Sequence, residues 1–148
     1  MAEILIVCIG NEIAEGDALG PEVAKILKKT LDNVRIEEIA NYIDILNFLV
    51  EKKYDKLIVV DTVMGDKDCE VVEFRVNPGE DVKAPSYHSI SFFDALRLAR
   101  ALGVLPEDVV VIGVEVNKPF GFGEPPEEIS RLLPVVAQRV VEICKSTG

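Results

Sequence analysis

At 148 residues, 49% of them hydrophobic, the chain has the length and apolar content for a single domain over residues 1–148 with one continuous core. Twenty-six acidic against 16 basic residues leave a formal charge of −10, which repels nucleic acid and anionic membranes. The cysteines, Cys8, Cys69 and Cys144, are odd in number and far apart with no CxxC pair, which speaks against a zinc ribbon or a dithiol motif and fits a reducing compartment.

The first element is the apolar run Ile4 to Ile9, read as a buried strand ended by Gly10-Asn11. It is too short for a signal peptide and lacks a basic flank, and no apolar stretch approaches the roughly 20 residues that span a bilayer. The expected location is therefore cytoplasmic, without membrane insertion. A helix begins at Gly20-Pro21, where proline's missing N–H costs nothing, and lines one face with Val23, Ile26, Leu27 and Leu31. Val34 to Ile39 alternates as a second strand, Ile43 to Leu49 reads as a short helix, and Leu57 to Val60 forms a third strand closing at Asp61.

Val71 to Val76 follows with no intervening helix, so it is expected to be antiparallel and at an edge, turning at Asn77-Pro78-Gly79. The next helix opens at Ser91, where Ser91-Phe92-Phe93-Asp94 has the form of a capping box, and Gly103 ends it. Val109 to Val114 is the most apolar strand and is expected at the centre. The last helix starts near Pro126 and is expected to bend or break at Pro134. Alternation of this kind predicts a three-layer α/β/α fold. Its twisted, mostly parallel sheet of about five strands carries helices on both faces and one antiparallel strand.

Ligands of open α/β sheets bind beyond the carboxyl ends of the strands. Four segments meet that condition: the loop from Gly10 to Asp17, the strand end at Asp61, Ser86-Tyr87-His88, and the region after Glu115. The first loop has neither GxGxxG nor GxxxxGK[ST] spacing, and its Glu12, Glu15 and Asp17 would face a phosphate with no Lys or Arg to offset them. A cation suits it better. Asp17 and Asp61 supply hard oxygen donors and His88, the only histidine, a borderline nitrogen, a set suited to Ni, Mn, Fe or Zn with positions left open. Each residue also has a plain structural reading, Asp17 as a helix cap, Asp61 as a turn former and His88 as a core histidine. No GxSxG elbow is present, and Cys8 reads as a small buried hydrophobe.

The ordered set Gly10-Asn11, Gly16-Asp17-Ala18-Leu19-Gly20, Val59-Val60-Asp61, Ser86-Tyr87-His88 with Asp94-Ala95-Leu96 and Leu98-Ala99, and Gly113-Val114-Glu115 resembles the hydrogenase maturation proteases. The resemblance implies a nickel-dependent endopeptidase that removes the C-terminal extension of a [NiFe] hydrogenase large-subunit precursor after metal insertion. It implies that Asp17, Asp61 and His88 are the metal ligands and catalytic residues. Nickel would be supplied by the substrate protein, and other divalent metals could occupy the site in vitro. One departure stands out: where the family often has two adjacent carboxylates, this chain has Gly16-Asp17. The alternative is a non-catalytic metal-sensing or partner-docking α/β module. Lys118 to Gly123, with two phenylalanines among glycines, has the composition of a clamp over a protein tail or of an ordinary connector.

Overall fold

A computed structural model describes residues 2–10, 19–76, 90–117 and 127–146. Strands β1 (Ile4–Ile9), β2 (Arg35–Ile39), β3 (Lys56–Met64), β4 (Glu70–Val76) and β5 (Asp108–Val116) form one sheet in the order β2-β1-β3-β5-β4. The first three and β5 run parallel, and β4 pairs with β5 antiparallel at the edge. The most apolar strand, β5, lies inside the sheet, but the middle place belongs to β3.

Helices cover both faces, so the inner strands have no side free for water. Residues Ile4, Ile6 and Cys8 of β1 pack with α1 (Leu19–Thr30) and α4 (Glu127–Lys145), through Val23, Leu27, Val136 and Val140. Leu5, Val7 and Ile9 pack on the other face with α2 (Ile43–Glu51) and α3 (Ile90–Ala101), through Ile45, Leu49, Leu96 and Ala99. This two-sided burial is why β1 reads as an unbroken apolar run rather than an alternating one. The outer strands differ. Arg35, Glu37 and Glu38 on β2, and Glu70, Glu73 and Arg75 on β4, put charge on both edges, which discourages pairing with another sheet.

Three local expectations change. Helix α3 begins at Ile90, so Ser91 falls in its first turn instead of before it; the Asp94 carboxylate accepts from Arg97 Nη1 at 3.0 Å, and the side-chain bonds of Ser91 lie outside the described residues. Helix α4 runs through Pro134 without interruption. Pro134 and Ser130, whose carbonyl loses its helical donor there, are both exposed, so water can take the vacant bond. The third change, in β3, concerns the site below. The helix end expected at Gly103 is present: its φ is 74°, with Gly103 N–H on the Arg100 carbonyl and Val104 N–H on the Ala99 carbonyl.

A buried lysine ties the start of β3 to the end of α4. Lys56 Nζ donates to the carbonyls of Ile143 at 2.8 Å and Ser146 at 3.1 Å, and sits 3.4 Å from Asp108 Oδ2. It thus satisfies carbonyls that a helix end leaves without donors.

Candidate active site

The sheet builds its carboxyl edge unevenly. Strand β1 pairs with β3 only from Ile4 opposite Lys56 to Cys8 opposite Val60, whereas β5 stays paired with β3 as far as Met64 opposite Val116. Asp61 is therefore the first β3 residue beyond the β1 pairing, on an overhang held by β5. The sequence suggested that β3 closes at Asp61; it runs on to Met64 because β5 is long enough to give those residues a hydrogen-bonding partner.

Gly113 stands opposite Asp61, and a β-carbon there would overlap the Asp61 carbonyl oxygen. The glycine of the Gly113-Val114-Glu115 motif is thus a condition for the close approach of β5 to the strand that carries the aspartate. Gly20 has the same role at the neighbouring position. A β-carbon on it would run into the Ile9 backbone, so α1 can start against the end of β1 only with glycine there.

Asp61 is 2% exposed. Its Oδ1 accepts from the Thr62 N–H at 2.8 Å and its Oδ2 from the Tyr42 hydroxyl at 3.1 Å. Burying a carboxylate is costly unless donors meet it, and both oxygens have one here. The strand alternation puts Asp61 on the α2/α3 face, where Tyr42, the residue just before α2, packs beside the same apolar cluster. On the opposite face of β3, Thr62 Oγ1 is buried with no hydrogen-bond partner among the described residues.

Glu115 is also buried, at 6% exposure, and sits opposite Val63 on the face that Asp61 shares. Its Oε2 accepts from the Lys67 N–H at 2.7 Å, so this carboxylate fastens the β3–β4 connection. Cys8 is fully buried in β1, and burial pushes its thiol up to about 12, which makes it an inert hydrophobe and no nucleophile.

Asp17 and His88 lie outside the described residues, as do the first loop's Asn11 to Ala18, Ser86-Tyr87, the Asn77-Pro78-Gly79 turn and the Lys118 to Gly123 segment. The described elements fix where the flanking helices start. Helix α1 opens against the end of β1, two residues after Asp17 in sequence. Helix α3 opens two residues after His88 and ends where β5 begins, at the amino edge, so its start belongs to the carboxyl side. Among the described residues, no group of three His, Cys, Asp or Glu side chains could hold a metal. An open groove lined by Tyr54, Lys56, Arg75 and Asp108 lies at the amino edge, away from Asp61.

Tyr42 was not singled out from sequence. Its contact with Asp61 spans 19 positions, and a tyrosine ahead of a helix carries no local sign of it.

A mostly parallel sheet with helices on both faces, and a buried carboxylate at its carboxyl edge, defines an α/β protein with an edge-of-sheet candidate site. Residues 38–143 match the family model HycI: Hydrogenase maturation protease, and the chain belongs to that family of peptidases. Solved structures agree in fold. The hydrogenase maturating endopeptidase HYBD from E. coli is 20% identical with a TM-score of 0.75, covering 99% of this chain and 94% of its own. The [NiFe] hydrogenase maturation protease HybD from Thermococcus kodakarensis is 22% identical with a TM-score of 0.75, over 95% and 98%. HycI from Thermococcus kodakarensis KOD1 is 24% identical with a TM-score of 0.74, over 98% and 94%. No curated protein matches the chain. Among the described residues, no helix is long and apolar enough to cross a membrane.

Proposed function

We propose that this peptidase removes the C-terminal extension of a [NiFe] hydrogenase large-subunit precursor in the cytoplasm, after nickel has been inserted, with Asp17, Asp61 and His88 as metal ligands and catalytic residues. The observation that carries the reading is Asp61: a buried, doubly hydrogen-bonded carboxylate at the carboxyl edge of a hydrogenase maturation protease fold. Its donor chemistry fits a divalent transition ion, since hard oxygen together with imidazole suits nickel and leaves positions for a substrate.

Nickel, brought by the substrate protein, supplies Lewis acidity at the scissile carbonyl when bound. The chain's own part is to present its carboxylates and imidazole in a fixed arrangement, and to accept the proton of the attacking water on Asp17 or Asp61. Water oxygen joins the carbonyl carbon, the C–N bond breaks, and the proton passes to the leaving amine. Low water access around Asp61 strengthens each of these electrostatic interactions.

The test is to incubate the protein with nickel-loaded and nickel-free precursor and follow the precursor's mass. Loss of the tail from the loaded form alone is expected, and His88→Ala abolishes it. Retention of the full tail across several hydrogenase precursors overturns the proposal. Nickel-dependent complex formation without any change in mass would identify a docking module instead.

A further inference from the structure

The hydrogen bonds at Asp61 differ in what they can control. The Thr62 N–H is the next residue's main chain, so its bond to Oδ1 at 2.8 Å is local and fixes one oxygen as a pivot. Rotation of the carboxylate about its last torsion is soft in aspartate, with a broad two-fold profile. A donor on the other oxygen fixes it. Tyr42 Oη, from the start of α2, provides that second point at 3.1 Å from Oδ2.

We infer that Tyr42 is a positioning residue for the proteolytic site: its hydroxyl sets the plane of the Asp61 carboxylate and so the direction in which the carboxylate oxygens face. The inference rests on the reading of Asp61 as a working residue. The packing around Tyr42 supports it. The ring is partly buried against the α2/α3 cluster of Ile45, Leu49 and Val59, so the phenol approaches Asp61 from an anchored ring.

Tyr42→Phe removes only the oxygen and keeps the ring, so the variant folds. Its kcat on nickel-loaded precursor is expected to fall about tenfold with KM unchanged, the loss for one hydrogen bond to a charged group. Tyr54→Phe is the control: it deletes another phenol hydroxyl packed on the same face, one that accepts from Arg35, and should leave kcat unaltered. The crystal structure of Tyr42→Phe is expected to show the Asp61 carboxylate turned about Oδ1. An unchanged kcat, or a carboxylate in its original plane, overturns the inference. Wild-type protein that cuts no precursor defeats the functional reading separately, and the variant's structure still decides whether Tyr42 holds the carboxylate.

Discussion

Gly113 and Asp61 are a pair whose meaning comes from backbone distance. The sequence offers both as parts of motifs, and the aspartate's chemistry can be read from its type. The reason for the glycine cannot, because β5 follows β3 by about fifty residues and only their register reveals the overlap that a β-carbon would create. Gly113→Ala must push β5 off β3 at the site, and a loss of about 3 kcal/mol is expected. Urea unfolding measures it; a midpoint equal to that of the wild type would show that the strands tolerate the side chain. Tyr42 is the other residue legible only in the fold, since a sequence pattern carries no sign of a phenol reaching a carboxylate on another element.

Elements with apolar, periodic cores were readable, and their polar ends were not. Strand β1 falls where the apolar run lies, from Ile4 to Ile9, because both ends of the run are ends of the strand. Strands β3 and β5 are longer than their apolar stretches, and the extra residues include Lys56, Asp61 and Glu115, polar side chains that the pattern treats as breaks. Each is tolerated inside by particular partners: carbonyls for Lys56, a phenol and an N–H for Asp61, an N–H for Glu115. Lys56→Met keeps the stem and removes the donor, taking the ammonium from the Ser146 carbonyl and leaving the Ile143 carbonyl with the Ser146 hydroxyl at 3.0 Å. Destabilisation of about 2 kcal/mol is expected for a charged donor lost from a buried position. Denaturant titration checks it, and an unchanged midpoint would mean that water replaces the ammonium without loss.

Across the whole molecule, alternating strands and helices made the layered architecture legible, including the antiparallel edge strand, which follows from a connection too short for a crossover. The candidate site was legible as a set of residue types; of its three members, Asp61 is the one within the described residues. Global stability should also carry a signature of the core. Cys8 has its thiol raised to about 12 in the fold by burial, above the ordinary value near 8.5. A raised value means the folded state keeps a proton that the unfolded chain releases, so this contribution is complete below about pH 8.5 and declines as pH climbs towards 12. The slope from this group is about 1.4 kcal/mol per pH unit. Urea midpoints between pH 8 and pH 10, chosen to bracket the onset near the ordinary thiol value, are therefore expected to decline more steeply for the wild type than for Cys8→Ala. Parallel curves would reject the account.

The stitch at Lys56 has a further implication for how the sequence can drift. Its two acceptors are peptide oxygens, which all twenty amino acids carry. Replacement of the Ser146 side chain takes away the hydroxyl that shares the Ile143 carbonyl but leaves both of the ammonium's acceptors in place, whereas deleting a residue from the last turn of α4 would swing the acceptors out of reach. Homologues should keep the spacing there more strictly than the letters.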